Sequence, residues 1–298
     1  MYDHIVIPVD GSDEAEHAAR RGLELASAFD STVDVLYVVE QNIRRLAKTD
    51  DEEARLREAG ETTLAAIETL AAELDHPVTT KLVTGKPAVQ ISKYAAERDT
   101  DLVVIGRQGT TGLGKRLLGS VTENVLHRGD VPVFVVPGGD SVGETTADYS
   151  RVLIPTDGSG NGETVTPHGV AFATNLDSTL HVLNVVDLQA AGGLFNAGGL
   201  ETEFVERLEA EGQEAVDRIA AEIAKTQSDV DVQTAVERTT SFGGPAVGIQ
   251  EYVEEHDIGL VAMSSHGRSN LKRQLVGSVA SAVLRTVDVP VLIVKRTS

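Results

Sequence analysis

The chain has 298 residues, with 26 lysines and arginines against 46 aspartates and glutamates, which gives a formal net charge of −20. So acidic a balance argues against a general nucleic-acid-binding protein, because such a protein needs a basic surface. The chain contains no cysteine, which excludes disulfides, thiolate zinc sites and cysteine nucleophiles.

The length predicts two domains, since single hydrophobic cores seldom grow beyond about 250–300 residues. Only 8 lysines accompany 18 arginines. An acid excess with few lysines favours adaptation to a saline cytoplasm, and a merely acidic protein of good solubility is the alternative. No apolar run approaches the roughly 20 residues that span a bilayer, and the start MYDHIVIPVDGS lacks the pattern of a signal peptide. We therefore expect a cytoplasmic protein with no membrane partner.

Short β-branched runs alternate with stretches of helical spacing in the first half of the chain. In 14–29 small and apolar residues recur every three or four positions, which predicts a helix, and the charged run 49–58 predicts the solvated start of another. The predicted strands are apolar on both faces, as parallel strands covered by helices are; they lie at 4–9, 33–39, 78–83, 102–105 and 131–136. The alternation predicts a doubly wound α/β domain with a five-stranded parallel sheet flanked by helices.

The same pattern occurs twice along the chain. HIVIPVDGSDEA, from residue 4, returns as RVLIPTDGSGNG from residue 151, and GKPAV at 85 returns as GGPAV at 243. The repeat predicts two tandem domains, 1–137 and 151–298, joined by a polar, glycine-rich linker at 138–150. The offset between the copies grows from 147 to 158, so the second copy holds 11 extra residues. We place them between its second and third strands, at 188–200.

Loops that follow the carboxyl ends of parallel strands are where doubly wound sheets bind ligands. One such loop, GRQGTTGLGKRLLGSV at 106–121, has three basic residues, five glycines and no acid, and its counterpart at 264–279 also has three basic residues and no acid. Glycines allow a phosphate to approach the backbone, a helix that starts near Ser120 offers free amides, and Lys115 and Arg116 add positive charge. The window predicts a phosphate site; a glycine-rich surface loop with an ordinary serine cap is the alternative.

Two better-known phosphate motifs nearly match this window but do not fit. GTTGLGKR at 109–116 has the P-loop spacing, yet Arg116 stands where that loop needs a serine or threonine for magnesium. The dinucleotide motif G-x-G-x-x-G fails because Leu117 follows Gly112 and Gly114 where the third glycine belongs. The histidines form no ligand-spaced pair, so we predict no metal site.

A third spacing is specific. Gly106, Gly109, Gly119 and Ser120 meet the pattern G-x-x-G-x(9)-G-[ST], and with the IPVDGS start and the VPVFVV ending this pattern resembles the universal stress protein family. The resemblance covers nearly the whole chain in a tandem two-domain form. It implies a Rossmann-like fold for each domain and the binding of ATP, with or without Mg²⁺.

The resemblance also implies which residues contact the nucleotide. Asp10 and Val38 would contact the adenine, and the glycine loop with Ser120 would hold the ribose and the phosphates. The residues implied in the first copy are Pro8, Val9, Asp10, Val38, Gly106, Arg107, Gly109, Gly119, Ser120, Val121 and Thr122, and those in the second are Asp157, Val185, Gly267, Gly277 and Ser278. The alternative for Asp10 and Asp157 is that they only cap the turns before the first helices.

The sequence favours a binding protein, namely an ATP-binding stress-response or regulatory protein without catalytic residues. No acid–base pair or nucleophile–histidine arrangement emerges, and the acid-free loops offer few ligands for the metal that phosphoryl transfer needs. A slow ATPase or a phosphoryl or nucleotidyl transferase is one alternative. A protein-interaction module without a ligand is the other.

Two further expectations concern how the copies relate to each other. The last strands, VPVFVV and VPVLIV, each begin beside a proline, which suits sheet edges that pair within one chain. Further association of two chains into a homodimer is compatible with this arrangement, but no sequence feature predicts it. Ser264 stands where the first copy has Gly106. If this position needs a positive φ, a serine there costs roughly 1–2 kcal/mol of backbone strain. With a negative φ, the side chain would instead crowd the space for a ribose or a phosphate. We therefore expect the first site to bind more tightly, and the longer loop at 187–200, which could cover the second rim, adds to that expectation. The alternative is that Ser264 is harmless and both sites fill alike.

Overall fold

A computed structural model of the chain describes residues 1–40, 50–109, 117–138, 148–160, 162–192, 202–267 and 276–295. The chain divides into two compact units, Met1–Thr146 and Ala147–Ser298, which we call the first and the second unit. Most of the predicted linker lies outside the described residues. Among the described residues, no helix combines the length and the apolar character needed to span a lipid bilayer.

The first unit alternates strands and helices, as predicted. Its elements are β1 His4–Val9, α1 Asp13–Phe29, β2 Thr32–Glu40, α2 Asp50–Glu73, β3 Val78–Gly85, α3 Pro87–Glu97, β4 Leu102–Gly106, α4 Ser120–Arg128 and β5 Val133–Val136. The strands form a parallel sheet in the order β3-β2-β1-β4-β5. The strand order reverses between β1 and β4, so a crevice opens at their carboxyl ends.

The second unit repeats this topology. Its elements are β6 Arg151–Pro155, a 3₁₀ turn Gly162–Val165, α5 Thr166–Leu176, β7 Thr179–Asp187, α6 Leu188–Gly192, α7 Thr202–Thr226, β8 Val232–Thr239, α8 Pro245–Glu255, β9 Leu260–Ser264, α9 Ser278–Thr286 and β10 Val291–Val294. The parallel sheet has the order β10-β9-β6-β7-β8, so β6 and β9 flank the matching crevice. The predicted doubly wound α/β fold is confirmed in both units.

The first helix of each unit packs closely on the first strand because a glycine faces the strand. A Cβ on Gly22 would lie 2.6 Å from Cδ1 of Ile7, and a Cβ on Gly169 would lie 2.5 Å from Cδ1 of Ile154. Both isoleucines are fully buried. A larger residue at either glycine would have to displace the buried isoleucine or the helix, so this seam favours the close helix–strand distance in both copies.

The structure corrects the predicted position of the 11 extra residues. Lys86 alone separates β3 from α3, whereas residues 240–244 separate β8 from α8, so four of the extra residues follow the third strand of the second unit. This segment forms a turn in which the Gly244 amide donates to the Ser241 carbonyl at 3.0 Å. The repeated motif GKPAV or GGPAV keeps its spacing to the helix start in both units, but its first glycine ends β3 in the first unit and lies beyond β8 in the second, which is why matching the sequences there concealed the insertion. Residues 193–200 of the predicted insertion lie outside the described residues.

Candidate functional site

A cleft of about 570 Å³ opens at the carboxyl ends of the strands in the first unit. Ligand pockets usually enclose roughly 300–1,000 Å³, so the size suits a small molecule. Ten residues predicted from the sequence line this first cleft: Pro8, Val9, Asp10, Val38, Gly106, Gly109, Gly119, Ser120, Val121 and Thr122. The eleventh, Arg107, is buried and does not line the cleft.

The turn after β1 is held together by its own side chains. Oδ1 of Asp10 accepts hydrogen bonds from the Ser12 amide at 3.1 Å and from the Ser12 hydroxyl at 2.6 Å. Ser12 in turn accepts the Ala15 amide at 3.2 Å and caps α1. Gly11 takes a φ of +82°, which favours glycine. The turn-capping role considered for Asp10 is therefore present, and the residue also lines the cleft.

The glycine-rich loop after β4 approaches Asp10 closely. A Cβ on Gly109 would overlap Oδ2 of Asp10, so only glycine allows the loop backbone to lie against this carboxylate. The other predicted glycine of the strand end, Gly106, is restricted in another way, because its Cβ would lie 3.0 Å from the Gln108 carbonyl oxygen. Close backbone approach, rather than a left-handed backbone, explains both glycines.

Hydrogen bonds close the neck of this loop. The Arg107 amide donates to the Val136 carbonyl at 2.6 Å, and the Gly119 amide donates to the Arg107 carbonyl at 2.8 Å. The buried Thr122 hydroxyl donates to the Gly106 carbonyl at 2.8 Å and ties α4 to the end of β4. The tip of the loop, with Lys115 and Arg116, lies outside the described residues. The closed neck points the start of α4 at the cleft.

The start of α4 leaves backbone donors available. Its N-cap is Gly119, which provides no side-chain cap, and the exposed Ser120 is the first helical residue. Early helix amides and the helix dipole favour an anion at such an end. Ser120, Asn124 and Arg128 recur every four residues and line the cleft along one face of α4. That spacing is visible in the sequence, although Asn124 and Arg128 were not predicted as site residues.

Other side chains that sequence reasoning did not assign complete the first cleft. Lys86 lines it from the start of α3, Glu40 from the end of β2 and Leu56 from α2. Tyr37 also lines it, and its pKa is raised mainly by burial and further by the negative charge of Asp10. The sequence TGKP could have predicted Lys86 as a site residue, since this loop follows a strand on the same rim. No local sequence pattern predicts that Leu56 lines the cleft.

The second unit rebuilds the same rim backbone. Oδ1 of Asp157 accepts the Ser159 amide at 3.0 Å and the Ser159 hydroxyl at 2.6 Å. A Cβ on Gly267 would overlap Oδ2 of Asp157. The Gly277 amide donates to the Ser265 carbonyl at 2.8 Å, just before α9 begins at Ser278. The structure thus brings these predicted residues of the second copy to one rim.

Val185 lies near this rim in contact with α8. A Cβ on Gly248 would lie 2.7 Å from a methyl group of Val185, so this side chain fills the space that the glycine leaves. The helix α6 follows β7 directly, and the Asp187 carboxylate caps it by accepting the amides of Gln189 and Ala190, both at 2.9 Å. The rest of the loop expected to cover the second rim lies outside the described residues.

The expected strain at Ser264 is absent. Neither Gly106 nor Ser264 has a positive φ, because each is the last residue of an extended strand, β4 or β9. The Ser264 hydroxyl donates to the His266 carbonyl at 2.8 Å, so the serine is built into the loop. His266 itself lies 3.0 Å from the Ser265 hydroxyl through Nδ1. The strain argument for unequal sites is therefore wrong.

Taken together, the fold and the two rims define a tandem pair of doubly wound α/β domains with an aspartate turn and a glycine-rich loop at each switch in strand order. The sequence model of the universal stress protein family matches residues 1–137 and 148–295. The chain therefore belongs to the universal stress protein family, a family of stress-response proteins, in its tandem two-domain form.

Similar proteins agree with this assignment. A universal stress protein of Methanocaldococcus jannaschii is 36% identical over 140 residues, which are 46% of this chain and 82% of that protein. One of Mycolicibacterium smegmatis is 28% identical over 304 residues, covering 98% of this chain and 96% of the relative. A solved universal stress protein from Archaeoglobus fulgidus has a TM-score of 0.74 at 20% identity, with both chains covered completely, and so shows the same fold.

Proposed function

We propose that this chain is a stress-response protein that binds an adenine nucleotide, ATP, in the first cleft. The observation that carries the proposal is the contact of Gly109 with Asp10, which brings the glycine-rich loop and the start of α4 to one wall of the cleft. A backbone that close leaves room for phosphates beside the helix amides. The family relationship supports the assignment of adenine to the end of the cleft near Asp10 and Val38.

Charge in the first cleft also favours a phosphorylated ligand. Lys86 and Arg128 both line the cleft and offset the carboxylates of Asp10 and Glu40 there, although the whole chain has a net charge of −20. The second unit has Gly244 and Thr286 at the positions that match these two residues. We therefore propose that the first unit binds ATP more tightly than the second. The inequality now rests on charge and no longer on strain.

The geometry favours binding over hydrolysis. Phosphoryl transfer needs a metal held by carboxylates or hydroxyls and a group that orients the nucleophile. The carboxylate nearest the glycine-rich loop is Asp10, and its Oδ1 already accepts two hydrogen bonds from Ser12 while its Oδ2 lies against Gly109. Slow hydrolysis remains the second candidate, with any Mg²⁺ brought by the nucleotide.

Two measurements test the proposal. Mass spectrometry of the ligand released from the purified protein should show an adenine nucleotide, and calorimetry of the emptied chain should show one tight site for ATP. A chain that neither retains nucleotide nor binds added ATP would instead support a ligand-free interaction module. Multiple-turnover hydrolysis clearly above that of the Gly119→Trp and Asp10→Ala variants would support the enzyme.

Two predictions from the sequence stay part of this proposal. We propose that the strands VPVFVV and VPVLIV pack against each other within one chain, and an experimental structure in which they lie far apart would contradict this. The cytoplasmic location also stays a prediction, which fractionation of cells that express the chain would test.

A further inference from the structure

The amino end of the sheet, opposite the rim, carries a polar cluster in each unit at matching positions. In the first unit the cluster centres on Asp34 of β2, which is 7% exposed. Tyr94 donates its hydroxyl to Oδ2 of Asp34 at 2.9 Å, Nε2 of His4 lies 3.1 Å from the same oxygen, and Nε of Arg98 lies 4.0 Å from it. The Arg98 guanidinium and the His4 imidazole of this cluster therefore face a carboxylate.

The second unit keeps the tyrosine and replaces the carboxylate with histidine. His181 of β7 stands where the first unit has Asp34, and it is 3% exposed. Its Nδ1 lies 2.9 Å from the Tyr252 hydroxyl of α8. The Tyr252 ring stacks on His256 at 3.8 Å, and the rings of His181 and His256 lie 6.0 Å apart. Arg151 of β6 takes the position of His4.

A protonated His181 would therefore lie close to other groups that carry positive charge. Positive charge on His256 or Arg151 opposes a charged His181, and among the described residues the carboxylate that favours it is Asp231, just before β8. Arg151 is itself engaged by Asp257, 3.6 Å away, and Glu237 acts on Tyr252 rather than on the imidazole. Burial, His256 and Arg151 lower the pKa of His181, in that order of influence, and Asp231 only partly opposes them.

Hydrogen bonding also favours the neutral form of His181. Nε2 of His181 is buried and has no partner among the described residues. A neutral imidazole has one N–H donor and one acceptor nitrogen. The Tyr252 hydroxyl can accept from Nδ1 or donate to it, so Nδ1 has a hydrogen-bond partner in either tautomer. A protonated imidazole would have a second N–H group, and that group would point into a buried site without an acceptor. Burying an unpaired charge is unfavourable by several kcal/mol in general.

We propose that α8 is a proton-sensitive element of this protein: protonation of His181 at mildly acidic pH loosens the packing of α8 on β7, whereas the matching helix α3 of the first unit keeps its packing. The consequence reaches the second rim, because α8 begins there at Pro245 and ends beside the cluster at Glu255. A helix of this length spans about 16 Å. A proton at one end of the sheet thus acts on the wall of the crevice at the other end.

The sign of the pH dependence follows from linkage. The unfolded chain binds a proton at His181 near the ordinary pKa of 6.5, and the folded chain binds it only at lower pH. The unfolded state therefore holds more protons below that value, so the stability of α8 falls as the pH drops through 6.5 toward the lowered pKa of the folded state. Above this window His181 is neutral in both states and contributes no pH dependence.

Hydrogen–deuterium exchange on the intact chain tests the proposal. We expect the protection of the α8 amides, corrected for intrinsic exchange rates, to fall about three- to tenfold between about pH 7.5 and about pH 5.5, since one histidine can contribute at most about tenfold there. The amides of α3 should show no such fall. His181→Asn, which keeps an acceptor for Tyr252 but cannot titrate, should abolish the fall, and His127→Asn in α4 should preserve it.

Two outcomes would overturn the proposal: equal protection of α8 at both pH values in the natural chain, or an unchanged fall in His181→Asn. If His181→Asn does not fold, magnetic resonance titration of the histidines in the natural chain decides. A midpoint for His181 below 6.5, the ordinary value, supports the proposal, and a midpoint at or above it contradicts the proposal. None of these measurements requires a nucleotide, so they are independent of the proposed ATP site.

Discussion

The rims of the two units share one backbone and differ in what surrounds it. Both place a glycine against the carboxylate of the first turn, and both close the loop neck with a glycine amide. In the first unit α1 starts at Asp13, directly after the turn, whereas in the second a 3₁₀ turn delays α5 to Thr166. Lys86 of the first rim becomes Gly244, with a φ of +61°. Duplication has therefore kept the backbone frame of the rim while the charge and the helix start have changed.

The largest effect is expected when a carboxylate is introduced into the glycine-rich loop of one rim or of the other. Gly109→Asp should weaken ATP binding by at least about 1.4 kcal/mol, a factor of ten, because the new side chain adds a negative charge and displaces the loop from Asp10. Gly267→Asp makes the same change in the second unit and should leave the tight site unaffected. Calorimetry of both variants measures this, and equal dissociation constants for Gly109→Asp and the natural chain would place the nucleotide elsewhere.

A second substitution tests the hydrogen bond between α4 and the end of β4, which has no counterpart in the second unit because Ala280 lacks a hydroxyl. The buried Thr122 hydroxyl bonds the Gly106 carbonyl, and the matching residue of the second unit is Ala280. Thr122→Val should lower the free energy of unfolding by about 1–3 kcal/mol, because it leaves a buried carbonyl without its donor. Urea unfolding followed by circular dichroism measures the loss.

The matched control for that substitution is Thr286→Val in α9. Its hydroxyl donates to the Ala282 carbonyl of the same helix at 3.0 Å, so its removal breaks no hydrogen bond between a helix and a strand end. We expect a change within about 0.5 kcal/mol, as is usual for sites away from such ties. An equal loss in both variants would show that the tie to Gly106 is unimportant.

The charge difference between the rims predicts a smaller effect. Lys86→Met should weaken ATP binding about two- to fivefold, and added salt should reduce the difference because partly exposed charges are screened. Lys93→Met on the same helix is the control, since Lys93 lies 3.7 Å from Glu97 and does not line the cleft. Calorimetry at low and high salt checks both, and a Lys86→Met protein with natural affinity at low salt would remove charge as the reason for unequal sites.

The smallest effect is expected at Ser264. Because the backbone there is extended, Ser264→Gly relieves no strain and should change the affinity of the second site by less than about twofold. Titration of a Gly109→Asp background, in which the first site is weakened, isolates this measurement. A marked gain in affinity would mean that the serine side chain crowds the ligand after all.

Local patterns predicted the elements of both units well, and distant contacts were invisible. The strand ends differ from the prediction by two residues or fewer in the first unit, and β5 begins at Val133 since Pro132 has no amide to donate. The glycine loop was found because the chemistry of its residues lies in one window. The cluster of His181, Tyr252 and His256 was not, because β7 and α8 bring together residues about 70 positions apart, as the separation of 71 between His181 and Tyr252 shows.

The pressing of α1 and α5 onto their strands by Gly22 and Gly169 has a consequence for how such a duplicated chain can evolve. Each copy locks its own helix with its own glycine and isoleucine, so neither copy can substitute for a loss in the other. Selection must therefore act on both seams at once, while a change such as that from Lys86 to Gly244 affects only one copy. Both seams have kept their glycine and isoleucine, whereas other matched positions have diverged, both on the rim, as at Lys86 and Gly244, and in the interior, as at the buried Asp34 and His181.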